Sequence, residues 1–386
     1  MGYFTTYAIH KLRKYRRKKM QKENVFSGIA GAHMYDTEGK MIQAHGGQIQ
    51  KFTVNGTTRW YWIGEDKTDG YRPCGGIHLY SSADLFQWKD EGIILKTMDK
   101  IEDFESDYFK KLYGTLTQSQ KETIFTDLDK HNCVIERPKM IYNKKTNKYI
   151  IWFHADGRCP ESDGDYGKAK AGVAISDNPA SPFRLIGTYK LNYHNDPTAD
   201  YGFDGWQKRG SVRDMTLFKD KDDTAYIIYS SEGNRTTYIS KLNDEYTALA
   251  KRPEEAAEGT DFTRNFIGKF REAHTIFRYK NKYYLIQSGC TGWLPNPASY
   301  AVADHPMGPW KDMGDPCTES GRETTYDSQS TYVIPIDEEK GQYIYMGDRW
   351  NEKDLADSRY IWLPIVFLPE NKIILSKKQN WKFEKE

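Results

Sequence analysis

Charged and amide side chains stand in this sequence where a sheet-forming chain ordinarily keeps them out. The runs "IERPKMIYN", "VRDMTLFKD", "REAHTIFRY" and "DSQSTYVIPI" are apolar and aromatic, yet each opens on groups that hold or move protons. These are Glu136 with Arg137, Arg213 with Asp214, Arg271 with Glu272, and Asp327 with Gln329. A charge at the head of an apolar strand costs free energy unless it is paired or working. Carboxylates so placed suit cleavage of a glycosidic bond. That reaction needs a proton donor for the leaving oxygen and a partner that activates water on the opposite face, roughly 6.5–9.5 Å away in inverting enzymes. A third carboxylate near the donor raises its pKa by like-charge repulsion and keeps it protonated at working pH.

Such groups converge only if the elements carrying them are arranged around a common centre. Five hairpin-like units recur along the chain. The first reads "AHGGQIQKF", a turn at "VNGTTR", then "WYWIGE"; the second reads "IERPKMIYN", "KKTNK", "YIIWFH". The third is "VRDMTLFKD", "KDD", "TAYIIYSSE", the fourth "REAHTIFRY", "KN", "KYYLIQSG", and the fifth "DSQSTYVIPI", "DEEKG", "QYIYMGDRW". Each joins two short runs through an Asn, Asp, Gly or Lys turn, as a β-hairpin does. A third strand follows every hairpin: "GIHLYSS", "AGVAISD", "TTYISKL", "SYAVADH" and "YIWLPI". In three units a fourth, outer strand follows at "DLFQWKDEG", "SPFRLIG" and "GPWKDMG".

From Tyr61 through Tyr149, Tyr226, Tyr283 and Tyr343 the spacings are 88, 77, 57 and 60 residues. Four strands in about that length make one propeller blade with its loops. The sequence therefore predicts an all-β, five-bladed β-propeller with four-stranded blades, over residues 25–386. The apolar runs are too short and too β-rich for a helical fold. The exception is "DKIEDFESDYFKKLYGTLTQSQKETIFTDLDKHN", a helix-like insertion between blades 1 and 2.

In a propeller the first strand of each blade lines the channel, and the antiparallel second strand returns to the same mouth. First-strand starts bring His45, Glu136, Arg137, Arg213, Asp214, Arg271, Glu272, Asp327 and Gln329 there. Second-strand ends bring Glu65, His154, Glu232, Asn234, Thr291, Trp293, Asp348, Arg349 and Trp350. Carboxylates, arginines and aromatics around one funnel suit a polyhydroxylated substrate. Each residue has a structural reading beside the functional one. Glu136 and Glu272 adjoin arginines and could close ion pairs. His45 between small residues could be a satisfied core histidine, and Trp293 and Trp350 read equally as packing residues.

The composition narrows the class. The chain has 386 residues, a net charge of +2, 28% charged residues and a mean hydropathy of −0.81. No apolar run approaches the ~20 residues of a membrane helix, so no membrane span is expected, and the charge balance points to no nucleic-acid partner. Aromatics reach 14%, with 28 Tyr, which favours strands and suits stacking on sugars. The five cysteines, Cys74, Cys133, Cys159, Cys290 and Cys317, form no CxxC pair, so free thiols in a reducing compartment are expected rather than zinc. "HKLRKYRRKKMQK" is a dense basic run within an extension at 1–24, read as a solvated charge run or as a nucleic-acid or membrane-surface patch. The opening "MGYFTT" also fits the loose N-myristoylation pattern. The stretch before the basic run is too short and polar for a secretory segment, so a cytoplasmic location is expected.

The motifs "AHGGQI…WYWIGEDK…GGIHLYSSADLFQWKDEG", "VIERPKMIYN", "RDMTLFKDKDDTAYIIYSSEGN", "REAHTIF…KYYLIQSGCTGWLPN", "YDSQSTYV" and "MGDRW…DSRYIWLP" resemble glycoside hydrolase family 43. Within it they are most similar to the branch of exo-β-1,3-galactanases and related β-galactosidases. The resemblance runs from about Gly28 to the C-terminus and implies a five-bladed propeller. It implies that Glu272 is the general acid and that Glu136 tunes it and contacts the sugar. Where the family at large places an aspartate base, this sequence has "AHGG", as the branch does. The branch's proposed substitute is a glutamine, here Gln329. Asp327, two residues away on the same strand and so on the same face, is its competitor. Glu65, Asp214, Asn234 and Thr291 correspond to sugar-hydroxyl contacts. No cofactor and no catalytic metal is expected. The implied activity is inverting, exo-acting release of terminal β-1,3-linked galactose from oligosaccharides. An α-L-arabinofuranosidase, a β-xylosidase or a non-catalytic glycan-binding propeller are the alternatives.

Overall fold

The computed structural model describes residues 26–27, 31–196, 209–378 and 380–383; the basic run at 1–24 lies outside them. Five four-stranded antiparallel sheets follow one another along the chain, each built from consecutive strands. After the short β1 (Phe26–Ser27), blade 1 comprises β2 (His45–Val54), β3 (Thr57–Glu65), β4 (Ile77–Ser82) and β5 (Lys89–Leu95). Blade 2 comprises β6 (Cys133–Asn143), β7 (Lys148–Gly157), β8 (Lys170–Ser176) and β9 (Arg184–Tyr189). Blade 3 is β10 (Met215–Lys219), β11 (Ala225–Ser231), β12 (Thr236–Lys241) and β13 (Phe262–Asn265). Blade 4 is β14 (Arg271–Tyr279), β15 (Lys282–Gly289), β16 (Ala298–Ala303) and β17 (Lys311–Gly314). Blade 5 is β18 (Gln329–Asp337), β19 (Gln342–Arg349), β20 (Arg359–Leu368) and β21 (Lys372–Leu375).

The innermost strands β2, β6, β10, β14 and β18 neighbour one another in a closed ring. The protein is thus the five-bladed propeller the repeats predict. Fourth strands also exist in blades 3 and 5, where the sequence showed none. β13 is only four residues long and follows a long excursion after β12, so it lacks a readable alternation.

Blade faces are apolar on both sides because each is covered by a neighbour. Between blades 1 and 2 the core holds Ile63, Leu79, Met140, Ile151 and Phe153. Between blades 5 and 1 it is aromatic, with Trp60, Trp62, Tyr332, Tyr360 and Trp362. The ring closes by side chain and backbone. Ala44 N donates to the Tyr360 hydroxyl at 2.9 Å, and β1 pairs with β22 (Asn380–Trp381). The expected insertion between blades 1 and 2 folds as a 3₁₀ turn at Ile101–Glu105 and two helices, α1 (Asp107–Tyr113) and α2 (Gln118–Leu128). Ser106 and Thr117 cap their N-termini through side-chain oxygens. Phe104, Phe109 and Leu128 enter the core between the two blades, which anchors the insertion to the ring.

Candidate active site

The mouth is assembled by one local device used repeatedly. Near their starts, β2, β6 and β14 each contain a bulge, at His45/Gln48, Glu136/Lys139 and Glu272/Thr275. The residue that follows His45, Glu136 and Glu272 adopts a left-handed backbone in each: Gly46 (φ 57), Arg137 (φ 54) and Ala273 (φ 55). A bulge of this kind turns a backbone N–H out of the ladder and re-aims the adjoining side chains. In every case a carboxylate of the preceding blade takes that N–H. Gly46 N donates to Asp348 Oδ2 (2.5 Å), Arg137 N to Glu65 Oε1 (2.9 Å) and Ala273 N to Asp214 Oδ2 (2.9 Å). In blade 1 a Cβ on Gly46 would lie 2.0 Å from Glu65 Oε1, and one on Gly47 1.8 Å from the Ile63 carbonyl oxygen. Both glycines of "AHGG" thus stand where neighbouring groups pack closely.

The first and second strands meet there in register, pairing His45 with Glu65, Glu136 with His154, Glu272 with Ser288 and Gln329 with Asp348. A cavity of about 390 Å³ opens at the centre. Its wall includes Glu65, Glu136, Asp214, Asn234, Glu272, Trp293, Gln329 and Trp350 among the expected residues, with Arg137, His154 and Arg213. A smaller cavity of about 140 Å³ adjoins it, sharing Trp293, Gln329 and Trp350 and reaching Asp327.

On one side stands Glu272. Burial and the charge of Asp214 push its carboxyl up to about 8, against weaker opposing effects of Cys290, Arg137 and Gln329. Gln329 Nε2 donates to Glu272 Oε1 at 2.7 Å. The Gln329 carbonyl oxygen accepts from Arg137 Nη2 (2.5 Å) and Trp350 Nε1 (3.1 Å), so the amide is held at both ends. Arg137 also pairs with Asp214 Oδ2 at 2.9 Å and donates to the Ser330 carbonyl at 3.0 Å.

On the other side stands Glu136. Its Oε1 accepts from the hydroxyls of Tyr71 (3.2 Å) and Tyr166 (3.1 Å), and its Oε2 faces His154 Nδ1 at 3.0 Å. Burial penalises the charge, but His154, Lys67 and Arg137 more than offset it and hold this carboxyl down at about 2. His154 Nε2 meets Asp156 Oδ2 at 2.8 Å; burial opposes its charge, yet Asp156 and Glu136 raise it to about 9. Glu136, His154 and Asp214 bring ligand-type atoms within 4.8 Å of one another. Within that group His154 faces a carboxylate from each ring nitrogen.

Several residues expected at the mouth are not on the wall of the main cavity, His45, Thr291, Asp327 and Glu232 among them. His45 is fully buried behind it, stacked on Tyr360 with ring centroids 4.8 Å apart and tilted against Trp350. Thr291 turns into its own loop, where its hydroxyl donates to the Leu294 carbonyl at 3.2 Å and accepts from Asn296. Asp327 is exposed and left-handed (φ 59), in the turn before β18 rather than on the strand. Strand alternation with Gln329 therefore does not apply to it. Glu232 takes the ion-pair reading, held by both Nε (3.0 Å) and Nη2 (3.1 Å) of Arg264. The like charge acting most on Glu272 is Asp214, not Glu136 as the resemblance implied.

Sequence reasoning missed Tyr71, Tyr166 and Cys290. Tyr71 and Tyr166 come from long loops without periodicity. Cys290 directly follows β15, so counting strand ends one residue further back would have found it. Tyr71 also packs edge-on against Trp293 (6.0 Å), which packs against Trp350 (5.3 Å).

A pocket at a propeller mouth, walled by carboxylates of opposed protonation and roofed by indoles, is the site of a sugar-cleaving enzyme. Solved structures with the same architecture agree. A GH43 β-1,3-galactosidase with galactodeoxynojirimycin is 34% identical, covers 93% of this chain and 100% of its own, and superposes with a TM-score of 0.73. An exo-β-1,3-galactanase from Phanerochaete chrysosporium with β-1,3-galactotriose is 29% identical over 94% of this chain and 68% of its own, TM-score 0.70. One from Clostridium thermocellum is 28% identical over 92% and 66%, TM-score 0.70. No family model and no curated protein sequence matches the chain. The chain belongs to glycoside hydrolase family 43 and is a glycoside hydrolase.

Proposed function

We propose that this enzyme releases terminal β-1,3-linked galactose from oligosaccharides by an exo-acting, inverting hydrolysis. The observation that carries the reading is Glu272, a carboxyl raised to about 8 on the wall of the pocket and so able to carry a proton at neutral pH. Substrate class is supported by the relatives, which are named for β-1,3-galactosidase and exo-β-1,3-galactanase activity and are seen with galactodeoxynojirimycin and β-1,3-galactotriose. In this reading Glu272 protonates the leaving oxygen while Trp293 and Trp350 take the apolar face of the sugar. Asp214 keeps the acid protonated, and Asn234 and Glu65 face the sugar hydroxyls.

Gln329 enters as the group that fixes the acid and the space for water. Its amide N–H lies 2.7 Å from Glu272, nearer than the roughly 6.5–9.5 Å kept by an inverting pair. Its carbonyl already carries two donors. The ionised Glu136 is the other candidate for activating water, although its own oxygens accept from Tyr71, Tyr166 and His154. Comparing Gln329→Ala, Glu136→Gln and Asp327→Asn at matched stability tests this. The group that activates water should show the largest loss and the strongest rescue by azide, with a glycosyl azide of inverted configuration.

The reaction itself is tested with β-1,3-galactobiose and a panel of nitrophenyl glycosides, following the first-formed anomer by proton NMR. Release of α-galactose is expected. Turnover of arabinofuranosides or xylosides alone would overturn the substrate, release of β-galactose would overturn inversion, and sugar binding without turnover would make the protein a lectin.

A further inference from the structure

Cys290 occupies a place at the acid that no catalytic scheme requires of a cysteine. It lines the cavity directly after β15, beside Glu272 and Asn234. Asn234 Nδ2 donates to Cys290 Sγ at 3.1 Å, and the thiol shares the cavity wall with the Glu272 carboxyl, whose ionised form it favours. Asn234 is itself held in a left-handed turn (φ 64) with its Oδ1 buried and unpartnered among the described residues. With an amide N–H on its sulfur, the thiol keeps its S–H to donate, and the acid stands beside it.

We propose that Cys290 is a positioning residue for Glu272, a weak donor that fixes the carboxyl while its sulfur shuts water from that side. The inference rests on the reading of Glu272 as the acid. The physical reason for a thiol lies in donor strength. A hydroxyl at the same place would bond the carboxylate more strongly and draw its proton off; an apolar isostere would give no donor at all. The thiol lies between these limits. Burial and Glu272 push its own titration up to about 12, so it keeps its proton wherever the enzyme works. The charged groups facing Glu272 from other blades are Asp214 of blade 3 and Arg137 of blade 2, with the neutral Gln329 of blade 5. Neither charge is altered by changing Cys290.

The test uses Cys290→Ser and Cys290→Val in the full chain. Titration of Glu272 is followed by carbon-13 NMR of protein labelled at the glutamate carboxyl, with the signal assigned by its loss in Glu272→Gln. The midpoint should fall in the serine variant and rise in the valine variant, by a few tenths to about one pH unit each. The alkaline limb of kcat/KM for β-1,3-galactobiose should follow in the same directions. Shifts of both variants in one direction, or in neither, would overturn the proposal and leave Cys290 as packing. Opposite NMR shifts with no movement of the limb would keep Cys290 as a positioning residue but remove Glu272 from the acid role. If one variant does not fold, the infrared S–H stretch of Cys290 in the unmodified enzyme serves, identified by its absence in the other. It should move as Glu272 titrates; a stretch indifferent to pH would sink the idea.

Discussion

Glu136 and Glu272 hold equivalent places in blades 2 and 4. Each lies on an innermost strand, immediately before a left-handed bulge residue, and each faces the same cavity. Burial acts on both in the same sense, favouring the neutral acid. Yet one is held down at about 2 and the other pushed up to about 8. The difference lies in the side chains facing each carboxyl, which come from its own blade as well as from the one beside it. Opposite Glu136 is a protonated His154, itself backed by Asp156, with two tyrosine hydroxyls. Opposite Glu272 are the like charge of Asp214 and the neutral donors Gln329 and Cys290. A propeller can thus repeat one backbone device and vary protonation through the side chains at the mouth, from the same blade or the one beside it. Two carboxyls with separated pKa values are the arrangement that acid-assisted hydrolysis uses.

The contrast is most sharply broken by removing one member. Glu272→Gln should lower turnover of β-1,3-galactobiose by about 10²–10⁴-fold, the usual contribution of a positioned general acid. Nitrophenyl galactosides should suffer less, because their leaving groups need little protonation. Near wild-type turnover of the disaccharide would end the acid assignment.

The same pair should behave oppositely in stability. Glu272 sits above the ordinary value of 4.5, so the stability linked to it is full below about 4.5 and is lost as pH rises through about 8. Glu272→Gln removes that cost and should raise Tm at neutral pH, with a gain that grows between those limits. Glu136 sits below its ordinary 4.5, so its contribution is present above that pH and lost as pH falls toward about 2. Glu136→Gln should therefore destabilise at neutral pH, by roughly 1–3 kcal/mol for a buried charge left without its partner. Denaturation curves at pH 5 and 7.5 check both signs; shifts of the same sign would show that the two sites do not differ as described.

A smaller effect is expected from the charge across the blade junction. Asp214→Asn keeps an acceptor for the Ala273 N–H but removes the negative charge, so Glu272 should ionise more easily. The alkaline limb of kcat/KM should move to lower pH by up to about one unit, and further than in Glu136→Gln. A larger shift in Glu136→Gln would restore it as the group that tunes the acid. Thr291→Ala should change least. Its hydroxyl serves its own loop, and kcat/KM is expected to stay within about twofold, since one exposed hydrogen bond is worth at most ~1 kcal/mol. A tenfold rise in KM would put Thr291 back among the sugar contacts.

Much of this architecture was legible because strands leave a local trace. Alternation, turn residues and a recurring aromatic position mark five blades, and antiparallel pairing alone brings strand starts and ends to one mouth. Local signals weaken where an element is short or owes its existence to a neighbour. β13 forms because β12 offers it an edge, and Asp327 leaves the strand because its backbone turns left-handed before Gln329.

Residue types, their order and their repeat were enough to determine a five-bladed propeller with carboxylates, an amide and indoles at its mouth, and to single out Glu136, Glu272 and Gln329. Only the tertiary structure decided which of these keeps its proton. It turned His45 into a buried stack and Glu232 into an ion pair, and brought Tyr71, Tyr166 and Cys290 to the site. The reason is physical. A strand pattern is fixed by neighbours along the chain, whereas proton affinity is fixed by burial and by charges a few ångströms away in space. In this propeller they come from the paired strand of the same blade, as His154 does for Glu136, and from the blade beside it, as Asp214 does for Glu272.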